Sequence, residues 1–411
     1  MKQYNIFYIG IGLMKFNLWN KWDPLRVCML GNNYAPEFFD GVPDRAGDPL
    51  KRVCEETLED LECFKEVLQD FGVTVIQPEM DRSERFIDNP FTIGYVNRED
   101  TDLLNTQASE HGIKRGPLMP RDEHLVIGNA CYINGDDHPA IKEKLKQSGP
   151  CEDYTTTNYP HVMTEEYYNI IKGIDYPSYE NFMDNRFEES YFEPHVWREL
   201  CNYKMHTGLN SASTFPLGKH FLVGCDYTNE HVYNAEQINL CLPETTKFKI
   251  VETEMDGHTD GNFHPLKPGC ILSLFDVQNY QETFPGWDVC YLAEESWHKV
   301  KHWQELKLEN HGKWWLPGEE QNAYFTHFVE TWLQDWVGYV EESVFDVNVL
   351  MLDENHCVVN NLNNKKVNAF FKKHKIEPVY VPWRHRFFWD GGIHCITLEL
   401  VREGTQQDYF S

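Results

Sequence analysis

Apolar positions along this chain switch repeatedly between the two-residue period of a strand and the 3.6-residue period of a helix, and the switches mark a recurring unit. Residues 26–30 read as a buried strand. Residues 51–71 read as an amphipathic helix, with Cys54, Leu58, Leu61, Phe64 and Leu68 near one face, and 73–76 return to strand. The same alternation recurs at 125–133, before a helix starting near 139. It recurs again at 221–224 before a helix at 235–242, and at 270–275 before a strand at 289–292. The last set is 347–352, 357–360, a helix at 365–373, then 378–381 and 395–401. This weak periodicity suits repeated ββαβ modules. No charge run or Pro/Gly/Ser tract marks a boundary, so residues 1–411 read as one domain.

Two short segments carry candidate chemistry. Gly391-Gly392-Ile393-His394-Cys395-Ile396-Thr397 places a cysteine between paired glycines and a β-type run, and Gly257-His258-Thr259-Asp260-Gly261 places a histidine two residues from an aspartate. A thiolate is a strong nucleophile when an imidazole distant in sequence can take and return its proton, and a carboxylate can hold a cationic carbon beside it. Taken alone, each motif is also compatible with a turn and an inert buried cysteine.

Composition narrows the setting. A chain of 411 residues, 41% hydrophobic and 14% aromatic, can bury a large core. Its net charge of −28 excludes nucleic acid and anionic membranes as natural partners, because both need clustered lysine and arginine. Twelve scattered cysteines without a CxxC pair argue for reduced thiols in the cytoplasm rather than a disulfide framework. The apolar run at residues 9–14 is too short for a membrane span and has no small-residue cleavage site, so neither a span nor a signal peptide is expected.

Five ordered segments resemble the amidinotransferase branch of the pentein superfamily, closest to its arginine:glycine and inosamine members. Asn20-Lys21-Trp22-Asp23-Pro24-Leu25 is similar to that family's N-E-W-D-P-L, and Met119-Pro120-Arg121-Asp122 to M-P-R-D. The histidine segment is similar to H-I-D-A-T-F, Asn348-Val349-Leu350-Met351-Leu352-Asp353-Glu354 to N-V-L-M-L-D-E, and the cysteine segment to G-G-F-H-C-W-T. The resemblance implies an α/β fold, a pentein propeller of five ββαβ modules around a pseudo-fivefold axis. It also implies amidino transfer from arginine or a similar guanidine to an amine, with no metal and no organic cofactor. In that scheme Cys395 is the nucleophile, His258 the general acid/base, and Asp122 and Asp260 the carboxylates that bind the guanidinium. A hydrolase of the same superfamily and a non-catalytic binding protein are the alternatives, and self-association as a homodimer stays open. His394, beside the nucleophile, is expected to face the opposite side of a strand as packing.

The chain also departs from the family pattern. Asn210, in a segment similar to F-D-A-A-D-F-I-R-A-G-R, stands where the family has the aspartate behind its catalytic histidine, leaving Glu254 or Asp256 as substitutes. Glu341-Glu342 replace a serine pair and Val277 an arginine, which weakens recognition of an α-carboxylate and favours a cationic or neutral distal end. A longer segment at about 287–340 gathers Trp287, Trp297, Trp303, Trp314, Trp315, Trp332 and Trp336. Phe325, Phe328, Val329, Trp332 and Trp336 recur at helical spacing, so this insertion is expected to be an extra helical layer on the rim rather than a lid.

Overall fold

The computed structural model describes residues 14–88, 113–122, 124–133, 138–153, 210–224, 248–253, 258–274, 280–292, 316–334, 336–337 and 346–410. Their strands are β1 (Leu25–Leu30), β2 (Thr74–Ile76), β3 (Leu125–Ile127), β4 (Ala130–Ile133), β5 (Glu152–Asp153), β6 (Thr214–Leu217), β7 (His220–Gly224) and β8 (Lys249–Thr253). Then follow β9 (Phe263–Lys267), β10 (Cys270–Ser273), β11 (Asp288–Tyr291), β12 (Leu350–Asp353), β13 (His356–Val359), β14 (Glu377–Tyr380) and β15 (Thr397–Arg402). The α-helices are α1 (Asp44–Asp70), α2 (Pro139–Ser148), α3 (Thr259–Asn262), α4 (Tyr280–Thr283), α5 (Ala323–Trp332), α6 (Lys365–Lys373) and α7 (Arg386–Trp389).

The strands form five three-stranded sheets, β15-β1-β2, β3-β4-β5, β6-β7-β8, β9-β10-β11 and β12-β13-β14. In each sheet the central strand pairs antiparallel with one neighbour and parallel with the other. A hairpin suffices for the antiparallel pair, but the parallel pair needs a crossover. Helices α1, α2, α4 and α6 lie in four of these crossovers. In the fifth, between β7 and β8, the expected helix at 235–242 lies outside the described residues. Among the described residues the full ββαβ unit is therefore seen four times, and the fifth sheet repeats its three strands. The first copy is closed by β15, which comes from the opposite end of the chain.

Two strand expectations change. Residues 125–133 form a hairpin rather than one strand, because Gly128 takes φ +55° and turns β3 back into β4. The run expected from Cys395 starts only at Thr397, and residues 393–396 are a turn.

Helix α1 begins seven residues before its expected start. Pro49 hides that first stretch, since a proline has no N–H to give the carbonyl four residues earlier. Asn322 meets the deficit: its Nδ2 donates to the Arg45 carbonyl at 2.7 Å, while its Oδ1 accepts from Phe325 N at 3.0 Å and caps α5. At the other end of α1, Gly72 at φ +78° and the bond from Val73 N to Leu68 O make a Schellman stop.

The described part of the tryptophan-rich segment packs as expected. Phe325, Phe328, Val329, Trp332 and Trp336 are all buried in one core with α1. Trp336 stacks on Tyr34 at 5.3 Å and on Trp389 at 5.8 Å, and its Nε1 donates to Ile113 O at 2.7 Å. Trp297, Trp303, Trp314 and Trp315 lie outside the described residues. Among the described residues no helix is long and apolar enough to cross a membrane.

Asn322 thus joins the inserted helix to the propeller through one amide. We expect Asn322→Ala to cost about 1–3 kcal/mol in urea unfolding, by losing a cap and orphaning a carbonyl. Asn322→Asp keeps the cap acceptor and loses the donor, so a wild-type midpoint for it would show that the bond to Arg45 contributes nothing.

Candidate active site

The cysteine turn is shaped by what its glycines omit. A Cβ on Gly392 would lie 2.4 Å from Asn348 Oδ1, and one on Gly391 would lie 2.4 Å from the Met119 terminal methyl. Without those atoms the turn closes onto Asn348. The Asn348 Oδ1 accepts from His394 N at 2.8 Å and Cys395 N at 3.3 Å, and its Nδ2 donates to Cys395 Sγ at 3.0 Å and to the Asp260 carbonyl at 3.3 Å. One side chain therefore fixes Cys395, its turn and the neighbouring aspartate. Asn348 went unassigned in the sequence, although the N-V-L-M-L-D-E segment contains it.

Asp260 lies in α3, the single turn that follows His258. Its N–H donates to Ala212 O at 3.0 Å. Its Oδ2 accepts from His394 Nδ1 at 2.7 Å and stands 3.8 Å from Cys395 Sγ. Its Oδ1 is buried and has no hydrogen-bond partner among the described residues. Burial pushes the Asp260 carboxyl up, but the bond from His394 and the charges of Arg121 and His258 outweigh it and hold the group below the usual carboxylate range. A buried, ionised carboxylate with an unused oxygen is an arrangement a cationic N–H donor would complete.

His394 corrects the sequence reading. It does not face away from Cys395 across a strand, because the turn at 393–396 has no strand alternation and both residues meet Asp260. Its ring is buried, stacked on Phe215 at 5.9 Å and edge-on to His264 at 4.8 Å. Burial and the nearby Arg121 lower its pKa, so it is a neutral imidazole donating through Nδ1.

Asp122 follows the turn at Met119 and lies 3.5 Å from Arg115 Nη2 and 3.9 Å from His258 Nδ1. Arg121, beside it, is buried: its Nε donates to His394 O at 2.8 Å and its Nη2 pairs with Glu399. Glu399 also meets Lys21 Nζ at 3.1 Å, Arg402 Nη2 at 3.5 Å and His394 Nε2 at 3.6 Å. Burial would raise Glu399, yet Arg121, Lys21 and His394 hold it well below its ordinary value. Burial also lowers Lys21 to about 7.

Asn210 sits differently from expectation. Its Oδ1 accepts from Ala212 N at 3.1 Å and Ser213 N at 2.8 Å, and it makes no hydrogen bond to His258. The short amide is used up in an Asx-type turn, and the carbonyl of that same turn, on Ala212, receives the Asp260 N–H. Glu254, Asp256, Val277, Glu341 and Glu342 lie outside the described residues.

The site thus brings Cys395, Asp260 and Asn348 into contact, with Asp122 and His258 close to each other beside them. Burial first, then the charges of Asp260 and Asp122, push the Cys395 thiol well above its ordinary range, and Asn348 and the Gly392 backbone only partly offset this. The resting cysteine is therefore a thiol at neutral pH. A cation placed between the carboxylates would remove what opposes its ionisation.

Comparison with known proteins agrees with this geometry. No protein-family model matches the chain. It is 39% identical over 427 residues to "Glycine amidinotransferase, mitochondrial" from Gallus gallus, covering 95% of this chain and 84% of that protein. The chain belongs to the amidinotransferase family. It is also 23% identical over 299 residues to "L-arginine:L-lysine amidinotransferase" of Pseudomonas savastanoi pv. phaseolicola, covering 71% of this chain and 68% of that one. Among solved structures, inosamine-phosphate amidinotransferase of Streptomyces griseus aligns with a TM-score of 0.54 at 15% identity, over 96% of this chain and 99% of that one. The five described sheets are those of the pentein α/β-propeller.

We expect alkylation of Cys395 by iodoacetamide, followed by peptide mapping, to be slow at pH 7–8 and to rise with pH through a pKa above 9, because only the thiolate reacts. The sign of the carboxylate effect fixes a second result. Asp260→Asn removes a negative neighbour, so the alkylation profile shifts to lower pH; an unchanged or raised profile would contradict the charge assignment.

Proposed function

We propose that this amidinotransferase-family enzyme moves the amidino group of arginine, or of a similar guanidine, to an amine through a covalent amidino-cysteine. The observation that carries the reading is Asp260, buried and ionised beside Cys395 with one oxygen unpartnered. A guanidinium supplies the planar array of N–H donors that such an oxygen lacks, and it places its central carbon near the sulfur.

The steps follow from the residues. The donor guanidinium settles against Asp260 and Asp122, and its charge offsets the repulsion that kept Cys395 protonated. The thiol proton passes to His258 as Sγ attacks the guanidinium carbon, and Asn348 Nδ2 donates to the sulfur through the change. His258 gives that proton to the departing amine, the C–N bond breaks, and ornithine leaves when arginine is the donor. The acceptor amine then gives a proton to His258 and attacks the amidino carbon, the C–S bond breaks, and His258 returns the proton to the sulfur to restore Cys395. Asn210 serves this scheme by holding the turn that positions Asp260, rather than by orienting His258. The non-catalytic alternative rested on that residue and loses its support.

The acceptor is an amine. Glycine and lysine occur in the names of relatives, and the exchanged groups at Glu341, Glu342 and Val277 favour an acceptor or donor end without a carboxylate. The nine described cysteines are all free; a cytoplasmic setting is our reading of the scattered cysteines, and the Gallus gallus relative bears the word mitochondrial in its name.

Incubation with arginine alone is expected to add one amidino group to Cys395 on intact-protein mass spectrometry, and Cys395→Ala is expected to add none. His258→Ala and Asp122→Asn should each lower turnover by about 10²–10⁴-fold with little loss of thermal stability. An adduct surviving in Cys395→Ala, or full activity in Asp122→Asn, would overturn the assignment. Citrulline or urea formed without an acceptor would identify a hydrolase instead.

A further inference from the structure

Asp260 has two carboxylate oxygens in unlike situations: Oδ2 faces His394 Nδ1 at 2.7 Å, with Cys395 Sγ at 3.8 Å and Arg121 Nε at 4.0 Å behind it, and His394 is much the nearest of the three. A carboxylate accepts only, so the 2.7 Å contact makes His394 Nδ1 the donor and commits Oδ2 to it. The other oxygen, Oδ1, stays buried and unpartnered. If the carboxyl rotated, either oxygen could turn to the imidazole or to a ligand, but His394 has no freedom to follow. Its N–H is held by Asn348 Oδ1 at 2.8 Å, its carbonyl by Arg121 Nε at 2.8 Å, and its ring between Phe215 and His264. Behind it, Nε2 stands 3.6 Å from Glu399 Oε1, and Glu399 is itself fixed by Lys21, Arg121 and Arg402. The ring is thus clamped at both ends of the peptide unit and on its face.

We propose that His394 is a positioning residue for the donor: by occupying one oxygen of Asp260 from a fixed ring, it aims the other at the guanidinium beside Cys395. The inference rests on the amidino-transfer reading. It adds that recognition of the cation depends on a histidine that does not touch it. A space-filling role alone would require only a ring-sized group packed on Phe215. The positioning role requires an N–H at the Nδ1 place, and the two are separable by substitution.

Asparagine carries its amide N–H close to where Nδ1–H lies, and leucine fills similar space with no donor. Arginine binding is measured by calorimetry in the Cys395→Ala background, where no adduct forms, with melting temperatures recorded alongside. We expect His394→Leu to bind arginine about 10- to 100-fold more weakly, the worth of one hydrogen bond to a charged group. His394→Asn is expected to stay within a few-fold of the Cys395→Ala parent at a similar melting temperature. Equal affinity in all three proteins, or equal weakening in Leu and Asn that follows their melting temperatures, would overturn the proposal. Should His394→Leu not fold, His394→Gln replaces it, because its amide reaches past the Nδ1 position; binding equal to that of His394→Asn would be equally fatal. A Cys395→Ala parent that binds no arginine removes the donor reading itself, and that failure is distinct from a parent that binds while the variants do not differ.

Discussion

A carboxylate sealed inside the protein must be compensated from every side, and Glu399 imposes that requirement on the whole active-site region. Its partners come from separate places: Lys21 from the entry segment, Arg121 from the turn before β3, His394 from the turn ahead of β15 and Arg402 from the end of that strand. Neither arginine can move away without weakening the compensation of a buried charge. Arg402 extends the network to Asp23 O and Met351 O, each at 2.6 Å. The loops that carry chemistry are therefore registered to one another by electrostatics, and the apolar cores of the modules fill in around them.

Within that frame the proposed site is arranged against the ionisation of its own cysteine. Two carboxylates and a dry surrounding keep Cys395 as a thiol until a cation arrives, which ties reactivity to occupancy. Neutral electrophiles and oxidants meet an unreactive sulfur. Selectivity for guanidines then depends on charge as well as on shape, since an uncharged isostere would not lift the opposition to ionisation. The acidic chain as a whole adds little to this, because its surface field is screened within about 10 Å.

Much of the architecture was legible because it depends on period and punctuation. The face of Cys54, Leu61, Phe64 and Leu68 announced α1, and the apolar run after Cys395 announced most of β15. What stayed hidden depended on partners remote in sequence. Pro49 masked the first turns of α1 because the amide that compensates it belongs to Asn322. Residues 125–133 were read as one strand, and Gly128 not as the reversal of a hairpin. His394 was read by strand alternation, which fails in a turn. Asn348 carried no signal of its own, since an asparagine ahead of an apolar run is ordinarily just a turn residue. For Asn210 the residue was found and its bond was not: a side chain that short prefers its own backbone to a distant imidazole.

The pairing of β1 with β15 has a consequence for how this protein is made. Strands β1 and β15 lie far apart in sequence, so the modules between them emerge from the ribosome before this sheet can close. Until β15 arrives, β1 has an open edge and Lys21 has no Glu399 to neutralise it. A nascent or truncated chain therefore combines an unpaired strand with an uncompensated charge, and both mark it for chaperones rather than for catalysis. Long-range closure of this kind is slow to search for and cooperative once found.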